Sequence, residues 1–355
     1  MRKNYIDNLR TIVILLLFPY HTCRMFTVRE ANYVQGHTYI INDIFCFIVG
    51  IWFMDLLFVL AGMSAYNSIQ KRSLSQFYTE RVKRTLIPFL CGLIVMVPIQ
   101  TYYAEKWHNH YSGNYITQYK LFFTKFGDLT GYFGGFTPAH LWFLLSLFLI
   151  SLAAYPFLHH IKKNGYWKEN KGVSMLHIIL FFIVFWVTSA INIGKPIVSQ
   201  FCYFVIGLVL FSKDSVIVKL QKYRKILFVA AILTLVTSAI SNFFLDLGGR
   251  FLILDLALSA YQNLAAWLMI LSLLGIGRSH MNGTNRFLQY MRNNSFSIYF
   301  LHQTLLILFA YYIISYIQGT FLQYLLILVG GMISSFLFVE IIKKIPILSN
   351  MFGIK

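Results

Sequence analysis

Arg10 and His21 carry the spacing with the clearest chemical reading in this chain. Eleven helical steps turn about 1100°, roughly 20° past three full turns, so both side chains lie on one face. At about 1.5 Å per residue they stand roughly 16.5 Å apart along the axis. The arginine is expected where such a helix leaves the cytoplasm, the histidine well inside the membrane. A charged reactant would be held at one end and a proton moved deeper in. Asp7, three residues before Arg10, is close enough to pair with it and orient it. Imidazole titrates near neutrality, which suits a general base, and Pro19 loosens the backbone two residues earlier. An arginine at a cytoplasmic end is ordinarily an orientation anchor. A histidine within a span is costly and normally faces an interior cavity, so for the pair together function is favoured.

Other polar residues intrude on apolar stretches. Asp55 lies mid-span with no compensating charge nearby in sequence, which calls for a buried partner or a cavity. His140 opens the run HLWFL near the outer surface, where it and Trp142 either bind an acceptor or anchor the interface. His302 and Gln303 fall in SFSIYFLHQ, roughly two turns in from the cytoplasm, as a site or as a hydrogen bond between helices. Arg81 and Arg84 in FYTERVKR share a helical face at a spacing of three. They would grip phosphates or act as positive-inside anchors. Glu340 is read as structural, pairing with Lys343 or Lys344.

The elements that must position these groups are membrane helices. Of the 355 residues 58% are hydrophobic and only 12% charged, and the mean hydropathy is +0.64. A soluble domain would carry about twice that charge. The expected class is all-α and polytopic, one integral-membrane domain over 1–355 with about ten spans. They cover approximately 10–28, 42–67, 85–103, 140–160, 174–192, 197–212, 225–244, 251–275, 295–316 and 321–342. With both termini cytoplasmic, 23 of the 30 basic residues fall inside. The inner set includes Arg2, Lys3, Arg10 and the loops 71–84, 162–171, 213–225 and 278–292, with Lys355 at the end. The outer set is Arg24, Arg29, Lys106, Lys120, Lys125, Lys195 and Arg250. The net charge of +18 therefore reads as topogenesis and contact with anionic lipid, not as nucleic-acid binding. The outer segment 104–139, rich in Tyr, Gly and His, is a lid, a binding rim or a solvated connector.

Several chemistries find no footing. Cys23, Cys46, Cys91 and Cys202 lack metal-ligand spacing, and no Walker-type loop, dinucleotide fingerprint, HExxH motif or GxSxG elbow occurs.

YIDNLR with the R-x10-H spacing, LFVLAGMSAY, FYTERVKRTLIPF, HLWFL and SFSIYFLHQ stand in the order seen in acyltransferase family 3. The resemblance runs over about residues 5–303, and the details are most similar to the branch containing the glucan succinyltransferase. Such proteins are multi-span membrane enzymes that acylate extracytoplasmic glycans. By position, the family's arginine–histidine pair is Arg10 and His21, its basic cluster Arg81 and Arg84, and its late aromatic-x-x-His Tyr299 and His302. Family members often have Pro and Ser in the second-span motif, where this chain has Asp55 and Ala61, and many carry an added esterase-like domain not found in these 355 residues.

The resemblance implies an O-acyltransferase in a bacterial plasma membrane, with acyl-CoA as donor substrate, no permanently bound cofactor or metal, and a carbohydrate acceptor arriving from outside. Arg10, Arg81 and Arg84 would hold the donor's phosphates, and His140, Trp142, Asp55, Tyr299 and His302 would bind substrate. A homo-oligomer is left open. The rival reading is a proton-coupled transporter or flippase using His21, Asp55 and His302 as a relay. It lacks the inverted repeat and broken half-helices usual for that class. A catalytically idle membrane sensor is a third reading.

Overall fold

The computed structural model describes residues 3–127, 129–164, 173–191, 196–245 and 252–353. Arg2, Lys195, Arg250, Lys355 and most of the 162–171 loop, all used to orient the chain, lie outside them. Every regular element among the described residues is helical. In chain order they are α1 (Asn4–Arg24), α2 (Ile40–Gly50), α3 (Phe53–Lys71), α4 (Leu74–Arg81), a π turn (Val82–Leu86), α5 (Ile87–Val95), α6 (Val97–His108) and α7 (Tyr115–Phe122). A 3-10 turn (Ala139–Leu141) leads into α8 (Trp142–Ala153), followed by α9 (Tyr155–Asn164), α10 (Met175–Leu180), α11 (Phe182–Ser189) and α12 (Ile197–Val209). The long helices α13 (Asp214–Phe243), α14 (Leu252–His280), α15 (Arg286–Tyr316) and α16 (Thr320–Lys343) precede a short α17 (Pro346–Met351).

Ten spans are the expectation. Among the described residues six helical stretches are long and apolar enough to cross a membrane: 40–71, 74–108, 214–243, 252–280, 286–316 and 320–343. A seventh results if α8 and α9, bent by 49°, count as one. The expected spans at 174–192 and 197–212 coincide with shorter apolar helices. The first span coincides with α1, whose apolar run is interrupted by Asp7, Arg10, His21 and Arg24.

Two compact units are discernible. The first comprises Met1–Val13, Phe47–Glu80 and Leu149–Leu288. In it α3 and α12 pack backbone to backbone. A Cβ on Gly62 would lie 2.0 Å from the Phe204 carbonyl oxygen, and one on Gly207 would lie 2.2 Å from that of Val59. Lipid tails are as apolar as leucine, so such close van der Waals packing replaces the hydrophobic drive between helices. Helices α13 and α14 lie along each other, and Trp267 of α14, fully buried, donates its indole N–H to the Ile178 carbonyl at 2.7 Å. The start of α1 is held by Asn8, whose amide reaches the carbonyls of Met281 (2.7 Å) and Gly283 (2.9 Å).

The second unit comprises Ile14–Cys46, Arg81–Phe148 and Gln289–Lys355. Helix α15 is its central element: 67% of its most apolar window is buried, against 28% for α16. The segment 104–139 is not an open connector. Glu105 holds Lys125 and Asn109, each at 2.6 Å, and Gln118 of α7 donates to Thr101 at 3.1 Å. His108 meets the Asn32 carbonyl at 2.7 Å, and the Tyr33 hydroxyl meets that of Thr130 at 3.1 Å. The residues after α1 and those after α6 therefore form one folded cap.

Candidate active site

Helix α15 sets the site. Tyr299 and His302 are three residues apart, one helical turn, and both are almost fully buried. Nδ1 of His302 lies 2.5 Å from the Tyr299 carbonyl. A carbonyl only accepts, so Nδ1 carries the hydrogen and Nε2 keeps its lone pair. That Nε2 is buried and has no hydrogen-bond partner among the described residues.

The 3-10 turn supplies the second imidazole. Ala139 has φ +46°, a left-handed conformation that costs an L-residue roughly 1–2 kcal/mol, and its N–H is held by the Thr137 hydroxyl at 2.9 Å. This bend aims His140 inward. Its Nε2 donates to the Phe300 carbonyl at 3.0 Å, and its Nδ1 receives the side-chain amide of Gln100 at 3.4 Å. Tyr299 in turn donates its phenolic hydrogen to the His140 carbonyl. His140 is only 6% exposed, so it is packed within the protein. Both of its nitrogens hold the framework together.

His21, from the last turn of α1, is the third imidazole. Its ring lies 5.1 Å from that of His302, centroid to centroid, and His302 stands 5.1 Å from His140. Phe18 and Tyr299 close the surroundings of His302, at 5.8 and 5.7 Å. His21 is half-buried and makes no hydrogen bond among the described residues. Among them no group of three donors is placed to hold a metal ion, consistent with both His140 nitrogens being committed.

The remaining expected residues are distributed as follows. In the first unit Arg10 donates to Asp7 Oδ1 at 3.0 Å and to Ser64 Oγ at 2.9 Å, so the expected acid–base pair forms and gains a third member. Asp55, on α3 in that unit, lies within electrostatic reach of Tyr203 on α12. Trp142 packs edge-on against Phe143. Arg81 ends α4 and Arg84 lies in the π turn, half-buried and exposed respectively. The wider π turn spreads them around the axis, so the shared face of a regular α-helix is not kept.

Gln100, Thr304 and Ser64 were not singled out from sequence. Gln100 and Thr304 are fully or almost fully buried, and Gln100 donates to Thr304 at 2.7 Å. The available signal was a glutamine inside the apolar run preceding Tyr102, since a buried amide needs partners.

The cluster joins His302, on the membrane-capable helix α15, to His140 and His21. The family model of acyltransferase family 3, an acyltransferase domain, matches residues 3–340, and the chain belongs to that family. It is a membrane acyltransferase, transferring groups other than amino-acyl groups. The chain is 23% identical to glucans biosynthesis protein C of Escherichia coli strain SMS-3-5 / SECEC. The alignment covers 99% of this chain and 94% of that protein. With the same protein of strain K12 the identity is 22% over the same coverage. No solved structure matches.

Proposed function

We propose that this protein moves an acetyl or succinyl group from cytoplasmic acyl-CoA to a hydroxyl of an extracytoplasmic glycan, a glucan being the acceptor class that the relatives' name supports. His21 takes the proton from the acceptor hydroxyl as its oxygen attacks the thioester carbonyl. The tetrahedral intermediate collapses, the C–S bond breaks, and CoA leaves as the thiol with that proton. The products are an O-acyl glycan and free CoA.

The observation that carries this reading is His21 itself. Its ring is uncommitted beside buried imidazoles, on the same helix as Arg10, in a chain matched nearly end to end by an acyltransferase family. Arg10, steadied by Asp7 and Ser64, is assigned to the donor's phosphates together with Arg81 and Arg84, since guanidinium geometry suits phosphate. Asp55 and Trp142 are assigned to the acceptor's approach, and the 104–139 cap to its entrance. The cytoplasmic termini, a bacterial plasma membrane and the direct route without an acyl-enzyme belong to the same reading. Family membership weighs against the transporter.

The test is CoA release by purified, detergent-solubilised protein given acetyl-CoA or succinyl-CoA with envelope glycans, with His21→Ala as control. Release that depends on His21 is expected. Release undiminished in a folded His21→Ala protein would remove the histidine from the mechanism, and no release from either donor would remove the reaction.

A further inference from the structure

Among the described residues four rings pack on His302, and one of them has a donor to spare. Phe18 has none. Tyr299 gives its phenolic hydrogen to the His140 carbonyl. His140 gives Nε2–H to Phe300, while its Nδ1 is occupied as an acceptor by Gln100. His21 alone makes no hydrogen bond among the described residues, and its centroid is 5.1 Å from that of His302. Once each ring's own radius is subtracted, facing nitrogens approach hydrogen-bond distance. His302 Nε2 is a buried lone pair without a partner among the described residues, an arrangement that costs stability. A turn of the half-buried His21 ring about its side-chain bonds removes that cost.

Resting on the function proposed above, we infer that His302 is the positioning residue of His21: its Nε2 accepts an N–H from the His21 ring. That bond selects one tautomer of His21 and aims its other nitrogen, the basic one, away from His302 towards the acceptor hydroxyl. When His21 takes the acceptor's proton, the same bond steadies the imidazolium. No proton has to leave His302, whose Nδ1–H stays on the Tyr299 carbonyl. A neutral imidazole thus takes the orienting place that a carboxylate fills in hydrolytic triads. His140 and Gln100 act one step further out, by fixing the walls around His302.

The experiment compares wild type, His302→Leu and His302→Gln. Leucine fills the space without an acceptor, and glutamine places an amide oxygen at about the reach of Nε2. Two readouts are taken. The first is the 15N spectrum of histidine-labelled protein in lipid, assigned with His21→Ala, which reports which His21 nitrogen is protonated without requiring turnover. One tautomer is expected in wild type and His302→Gln, and a mixture in His302→Leu. The second is steady-state CoA release. His302→Leu should lose kcat by roughly 10–100-fold, the usual cost of removing a partner that orients a functional imidazole, with KM for acyl-CoA little changed. His302→Gln should recover most of that loss. Should His302→Leu fail to fold, His302→Met makes the same comparison.

A His21 spectrum identical in wild type and His302→Leu overturns the inference, as does undiminished kcat in His302→Leu. Glutamine as inactive as leucine with KM raised in both also overturns it, and makes His302 a substrate contact or a packing residue. Wild type that releases no CoA strikes the proposed reaction instead, and the 15N comparison still decides the histidine pair.

Discussion

Gln100 gives one amide hydrogen to Thr304 at 2.7 Å and directs the other at His140 Nδ1, 3.4 Å away, so one side chain on α6 joins α15 to the turn before α8. Thr304 passes its own hydrogen towards the Met96 carbonyl at 3.5 Å, which leaves its oxygen as the acceptor and fixes the orientation of the amide. Replacing Gln100 by Leu strands His140 Nδ1 and the Thr304 oxygen in a buried place. A loss of about 1–3 kcal/mol is expected for each orphaned group, read as a lower thermal unfolding midpoint in detergent. An unchanged midpoint would show that the three groups do not depend on one another.

Arg10 divides its guanidinium between Asp7 and Ser64. In the acyl-CoA reading, Arg10→Ala raises KM for the donor by tenfold or more. Arg10→Lys recovers only part of this, because an ammonium lacks the planar fork. The check is KM measured with acyl-CoA, and an unaltered value in both variants would leave Arg10 with topology alone.

Gly62 and Gly207 meet main-chain carbonyls, not flexible side-chain ends. Backbone cannot step aside, so even Gly62→Ala or Gly207→Ala is expected to prise α3 from α12. The yield of monodisperse protein should fall sharply, against little change for Gly127→Ala, which meets nothing within 4 Å.

Glu105, buried, bears on the cap through Lys125 and Asn109. Glu105→Ala should loosen residues 109–136 and speed their cleavage by added protease, while the membrane helices stay resistant. Equal cleavage rates in variant and wild type would place the strength of the cap elsewhere, in contacts such as Tyr33 with Thr130.

What was legible beforehand follows from the kind of signal each residue emits. Apolar length is written in consecutive residues, so the apolar parts of the helices at 214–243, 252–280, 286–316 and 320–343 are legible, while polar ends such as 214–224 and 286–292 read as loops. The alignment of Arg10 with His21 follows from helical period alone, and α1 runs unbroken through Pro19 to Arg24. The rest depends on distant segments meeting. Nothing near His140 in sequence announces that its partners are Phe300 and Gln100, so the sequence leaves it as either an acceptor contact or an interfacial anchor. The same holds for Ser64, 54 positions from the arginine it contacts. Only the shared face of Arg81 and Arg84 differs from the expectation, for a local reason: a π turn leaves no mark in a pattern counted by 3.6.

That π turn has a consequence for chain length. From Leu74 to Val95 the path contains one residue beyond what regular α-helix needs, and the Ile87 amide reaches back five positions to Val82. A single-codon deletion within 82–86 would drop the surplus and leave Gly92 facing Leu141 and Phe300. The same deletion a turn later would swing Gly92 by about 100° relative to the helix before it. Natural or engineered variation in length that spares Arg84 is therefore expected to be tolerated at 82–86 and selected against between there and Gly92.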